Sequence, residues 1–451
     1  MWNRLRSMWT IPDLRNKILF TFAMLLVFRA ISYVPVPGID AQALNSFISN
    51  KSSSLNQLFG LIDVFSGGSL QNFSVLAMGV YPYITASIVV QLLQPIIPRL
   101  DALSREGEAG RNRLSQITRY ITVPLAILQS FGQMALLVNL GAIPQSQFNL
   151  LNGSSVIPTL STLATLTAGT MFLVWLGELI TENGIGNGIS LIILANILVR
   201  IPQQLGSALV STSTVGSNTS SGGLVSLAAI VALGLAMTFS MVFVYLAQRR
   251  VPVQYPTKRR IFVADRSLGG DEIGQQTTYI PMQVNSAGMI PLIFASSILL
   301  LPTVLSNYLS FSTNKALADW FRNISLFLNT SNWYYWVIYG VLVAAFTFFY
   351  ATVIWQQQNM ADTLQKQGAY IPGIRPGEPT ARYMNRILNR ITFGGAIFLG
   401  IVSVAPALLT TNTAQQVIQA ASLLIIVGVV LDTVKQLEAH MVMRNYSGFL
   451  S

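Results

Sequence analysis

Reactive chemistry in this chain would have to be built from 16 carboxylates and one imidazole, His440, because its 451 residues include no cysteine. Thiolate nucleophiles, thiolate metal sites and disulfides are thereby excluded. The carboxylates stand almost wholly at the ends of apolar runs or between them, and no HExxH occurs. No serine inside an apolar run has a histidine to activate it, so an intramembrane protease lacks its catalytic pair. What the chain holds in quantity is cation: 27 Lys and Arg against 16 Asp and Glu give a net charge of +11. Arg249, Arg250, Lys258, Arg259, Arg260 and Arg266 crowd one gap between two apolar runs. Cations so placed can dock phosphate-rich or acidic partners, and they also set the orientation of a membrane protein.

The elements that carry these residues are apolar. A chain that is 52% hydrophobic and 10% charged, with mean hydropathy +0.54, lacks the polar surface of a soluble domain, and lipid is the implied solvent. About 20 apolar residues cross a bilayer as helix. Ten runs come near that length: residues 18–34, 73–93, 120–140, 159–180, 188–201, 224–247, 288–305, 334–354, 391–409 and 415–431. The first leads into Pro35, Pro37 and Gly38 rather than a small-residue cleavage site, which predicts a retained helix rather than a signal peptide. With the N-terminus inside, every Lys and Arg except Arg29, Lys51, Arg200, Lys315 and Arg322 falls on the cytoplasmic side, and both termini are expected there.

Two long loops, 249–283 and 356–390, share that side. In the first, residues 260–264 and 277–281 read as strands flanking the turn-rich Ser267-Leu-Gly-Gly-Asp, which predicts a projecting β-ribbon. On the opposite side, residues 35–72 mix turn residues with an amphipathic stretch too short to span. Arg29 is the one ionisable group well inside a run, toward its outer end, where snorkelling or a local structural bond accounts for it. The spans therefore offer no proton relay, which weighs against the alternative of a secondary transporter for a small solute.

Six motifs occur in order along the chain: Phe65-Ser-Gly-Gly-Ser, Gly79-Val-Tyr-Pro-Tyr-Ile-Thr-Ala-Ser-Ile, Gly107-Glu-Ala-Gly-Arg, and Gly177-Glu-Leu-Ile-Thr-Glu-Asn-Gly-Ile-Gly-Asn-Gly-Ile-Ser, then Gln283-Val-Asn-Ser-Ala-Gly-Met-Ile-Pro-Leu-Ile-Phe-Ala-Ser-Ser and Pro372-Gly-Ile-Arg-Pro-Gly-Glu. In sequence and in position between the runs they resemble the SecY family, the channel subunits of the Sec protein-conducting translocon. The resemblance spans the first run to the tenth. It implies an all-α membrane protein of ten transmembrane helices in two inverted five-helix halves, residues 1–205 and 206–451, around a central hourglass pore. No cofactor is implied.

Position by position, the resemblance assigns Val80, Ile84, Ile189, Ile193, Ile293 and Ile425 to an aliphatic pore ring, which would exclude water and ions by dewetting. It assigns a short plug helix to residues 55–65, with Leu58, Phe59, Leu61, Ile62 and Phe65 packed against the ring; the following Ser-Gly-Gly would supply hinge freedom. Thr85, Gln91 and Asn285 match polar positions of a lateral gate. Buried together, their hydrogen bonds would bias it shut, each contributing about 0.6 to 2 kcal/mol, while ordinary interhelical bonding would use the same atoms. Lys258, Arg259, Arg260 and Arg375 match loops that dock the ribosome and the SecA motor, and Arg375 stands in a turn framed by Pro and Gly. The implied partners are SecE, SecG, SecA, the ribosome, signal sequences and nascent polypeptides. A bacterial plasma membrane or a thylakoid membrane is the implied location. With no P-loop, energy would come from the partners.

Overall fold

Pro12, whose missing N–H costs nothing in a first helical turn, and Asp13 beside it start α1 (Pro12–Ile31). The computed structural model describes residues 11–37, 66–69, 73–139, 156–214, 220–255, 277–288, 290–309, 319–321, 323–324, 327–328, 332–358, 360–409 and 420–447. After α1, the Val36 N–H donates to the Phe73 carbonyl and the Val75 N–H to the Val34 carbonyl, each at 3.0 Å. The excursion between residues 36 and 73 thus leaves and returns at one point. Pro82 then opens α2 (Tyr81–Leu93), which turns by 104° through Pro95 into α3 (Pro98–Arg105).

The remaining helices are α4 (Glu108–Asn139), α5 (Val156–Asn183), α6 (Gly188–Thr214) and α7 (Ser220–Leu246), then α8 (Ile290–Leu309), α9 (Trp333–Gln358), α10 (Met360–Lys366), α11 (Glu378–Leu409) and α12 (Ala420–Ser447). Every one of the ten apolar runs overlaps one of these helices. In the second run residues 73–80 are turns and the helix starts only at Tyr81. By length and composition three helical stretches among the described residues can cross a membrane, or four if the bent α2–α3 pair is one span. The outer faces of the helices suit lipid, with Leu26 of α1, Phe239 of α7, Val341 of α9 and Ile401 of α11 all exposed.

Two apolar clusters hold the helices together. One joins Phe28 of α1, Ile84 and Ile88 of α2, Leu173 and Ile180 of α5, Ile192 and Ile197 of α6, Phe294 of α8 and Val429 of α12. The other joins Met241 of α7, Leu292 and Leu299 of α8, Tyr339 and Val343 of α9, Leu399 of α11 and Leu424 of α12. Helices α8 and α12 contribute to both and so couple them.

A ribbon is present, and the expected second strand pairs in it with a segment that the sequence pattern had not marked. Antiparallel β1 (Gln248–Gln254) pairs with β2 (Thr277–Gln283), while residues 260–264 lie outside the described residues. Val251 and Val253 point into a small core with Met282, Leu364, Ile371, Met384 and Leu388. Gln254 exchanges backbone hydrogen bonds of 3.0 and 2.9 Å with Tyr370, so the two long loops form one unit.

Candidate functional site

The site is built where α6 begins. Thr181 Oγ1 donates to the Gly177 carbonyl at 2.8 Å and accepts from the Gly188 N–H at 2.9 Å, closing the α5–α6 turn. A Cβ on Gly188 would collide with the Gly177 carbonyl, so glycine is what lets α6 start against α5. Ile189, the next residue, lies against Gly177, and Ile193 follows one turn on.

All six expected ring positions fall in one apolar cluster. Val80, Ile84, Ile193, Ile293 and Ile425 are buried members, and the partly exposed Ile189 packs on them. They arrive from the turn before α2, from α2 itself, and from α6, α8 and α12. Every buried member of that cluster is aliphatic or Phe, so it offers water no hydrogen bond. An all-aliphatic surface of this kind excludes water and hydrated solutes by dewetting.

The seam beside the collar differs from expectation. Thr85, Gln91 and Asn285 do not bond to one another. Gln91 Nε2 donates to Ser87 Oγ at 3.3 Å and Asn285 Nδ2 to the Gly288 carbonyl at 3.1 Å, both local contacts. Thr85 instead receives a 3.1 Å hydrogen bond from Gln129 Nε2 of α4, and donates its own proton to the Pro82 carbonyl at 2.8 Å. Six residues of helix separate Gln91 from Thr85, about 240° around the axis, so the two cannot share a face. Gln129 was absent from the sequence reading; its signal was a Gln-Ser pair within an apolar run, where polar side chains need partners. Across the seam, the Tyr81 hydroxyl donates to the Ser297 carbonyl of α8 at 3.3 Å.

Arg29 makes a local structural bond. One guanidinium nitrogen donates to the Gly67 carbonyl at 3.0 Å and the other to the Tyr33 hydroxyl at 2.9 Å, with Arg29 Cζ 4.7 Å from the Tyr33 ring centroid. Gly67 and Gly68 have φ of +65° and +88°, and a Cβ on Gly67 would collide with Asn196 of α6. The glycine turn is therefore held, not loose: it is pressed on α6 and tied to α1. The assigned plug residues Leu58, Phe59, Leu61, Ile62 and Phe65, and the docking residues Lys258, Arg259 and Arg260, lie outside the described residues. Arg375 is described and exposed, in a turn closed by the Ile374 N–H on the Ile371 carbonyl at 3.0 Å. Its own carbonyl accepts from Thr380 Oγ1 at 2.9 Å.

The SecY family model matches residues 74–434. The chain belongs to the SecY family. It is 42% identical over 448 residues to protein translocase subunit SecY of Streptomyces scabiei, covering 97% of each chain. It is 41% identical over 450 residues to the same subunit of Staphylococcus epidermidis (strain ATCC 12228 / FDA PCI 1200), covering 98% of this chain and 97% of that one. Among solved structures it resembles "The structure of a protein conducting channel", with a TM-score of 0.62 at 14% identity, over 95% of this chain and 93% of that one. It also resembles Sec61 in the canine ribosome–channel complex from the endoplasmic reticulum, with a TM-score of 0.59 at 14% identity and the same coverage. These two establish the SecY fold. SecY-family chains are channel subunits and not enzymes.

Proposed function

We propose that this SecY-family chain is the conducting subunit of a protein translocase, passing unfolded polypeptide across the membrane and releasing apolar segments sideways between α2–α4 and α8. The observation that carries the reading is the convergence of Val80, Ile84, Ile189, Ile193, Ile293 and Ile425 on one aliphatic cluster. At rest the collar seals; a signal sequence shifts a closed–open equilibrium because it binds the open seam better. Its membrane is a bacterial plasma membrane or a thylakoid membrane, with both termini on the cytoplasmic or stromal side. SecE, SecG, SecA and the ribosome are its partners, in keeping with relatives named as translocase subunits and a neighbour described in a ribosome–channel complex.

Reconstitution tests this directly. Proteoliposomes holding the chain with its small subunits and motor should carry an unfolded, signal-bearing client into the lumen, protected from added protease. Uptake of a small solute without protein transport would replace the reading with a transporter.

Docking gives a second expected outcome. Arg375 projects from a fixed turn on the same unit as exposed Arg249 and Arg250. Arg375→Glu should weaken binding of a phosphate-rich or acidic partner roughly ten-fold or more, since a reversed charge now repels. Client transport should fall while the channel still inserts normally. Equal binding by the variant across a salt titration would reduce Arg375 to a topology charge.

A further inference from the structure

Beside the collar, α4 carries a buried polar row. Gln129, Ser130 and Gln133 are 9%, 0% and 7% exposed, and the i, i+4 spacing of the two glutamines puts them on one face. Gln129 spends its amide nitrogen on Thr85. Gln129 Oε1, Ser130 Oγ and both amide atoms of Gln133 are buried with no hydrogen-bond partner among the described residues. Polar atoms in a membrane interior are costly to leave unpaired, and a native chain that keeps four in two helical turns has a use for them. Helix α4 packs on α2 and also on α8, the two sides between which the translocase reading releases apolar segments.

We infer that Gln129, Ser130 and Gln133 form a hydrogen-bonding ladder for the backbone of a polypeptide lodged in the parted seam, and that Gln133 helps set which segments pass on into lipid. The inference rests on the translocase reading. The ligand class is a peptide main chain: an amide side chain with a free donor and a free acceptor matches the unpaired N–H and C=O of a segment that is still extended, whatever its side chains. A residue that holds the main chain in the seam lengthens its stay near water and raises the apolarity needed to leave.

The chain has no cysteine, so Gln133→Cys supplies a unique thiol. In proteoliposomes, a client with one cysteine in its arrested apolar segment should form an oxidant-dependent disulfide with position 133; a Cys at lipid-facing Ile401 should not. Gln133→Leu and Gln133→Met should each raise the inserted-to-translocated ratio of a marginally apolar segment about three-fold, and Gln133→Asn should restore most of the difference. An unchanged ratio in both apolar variants, with no crosslink at 133, would overturn the inference while transport by the unmodified chain left the translocase reading intact. No transport by the unmodified chain would instead sink that reading.

Discussion

Ile293→Asn and Ile425→Asn should each raise the ion leak of the resting channel in planar bilayers roughly 30-fold. Both side chains are buried in the collar cluster, at 7% and 1% exposure, where an amide finds no aliphatic neighbour to bond with. An unsatisfied buried amide costs about 1 to 3 kcal/mol, and 2 kcal/mol spent on the closed state multiplies the open population roughly 30-fold. A wetted constriction adds conductance of its own. Ile425→Val keeps a branched aliphatic and should stay tight. Ile401→Asn places the same amide on an exposed face of α11 and should destabilise the protein without opening it. Unchanged conductance in both collar variants, with the protein present in the bilayer, would remove Ile293 and Ile425 from the conduction path.

Arg29→Leu should release the glycine turn. The guanidinium ties Gly67 on one side and Tyr33 on the other, and a charge-assisted hydrogen bond of this kind contributes about 1.5 to 3 kcal/mol. Hydrogen exchange of the Ser69 and Ser74 amides, which bond to the carbonyls of Ser66 and Ser69, should quicken at least ten-fold. Clients with weakened signal segments should cross about ten-fold more readily, since less binding energy is needed to displace the turn. Arg29→Lys should rescue little, because one ammonium on a flexible stem cannot replace a planar fork that reaches two partners at once. Unaltered exchange at Ser69 together with unaltered transport would show that the turn is held by its packing on Asn196 alone.

Hydropathy made the helical framework legible because a span must pair its backbone within a helix and face lipid with apolar side chains over about 20 residues. The six positions assigned to the ring came through the motifs that bracket them, notably the Gly177 to Gly188 turn that sets Ile189 and Ile193, and the structure gathers them in one apolar cluster. Seam partnerships were not, since a hydrogen bond between helices depends on facing and depth, which spacing along one helix does not give. Gln91 was grouped with Thr85 through the family resemblance although helical rotation separates them, and Gln129, 44 residues after Thr85, proved to be the partner. The first strand was hidden by Pro252, a residue that usually argues against a strand. Gln254 turns its backbone groups outward to Tyr370, so alternate positions, Pro252 included, face away from β2 and no ladder donor is missing.

That same Gln254 to Tyr370 bridge has a mechanical corollary. The ribbon grows out of α7 through the Val284 N–H to Ala247 carbonyl bond and runs on toward α8, while the Tyr370 segment leads through the Arg375 turn into α11. A load applied to this platform is therefore passed to α7, α8 and α11 at once. Under the proposed translocase reading, a partner docked on the Arg375 turn would push on a handle joined to α7, α8 and α11, and so on the helix that carries Ile293.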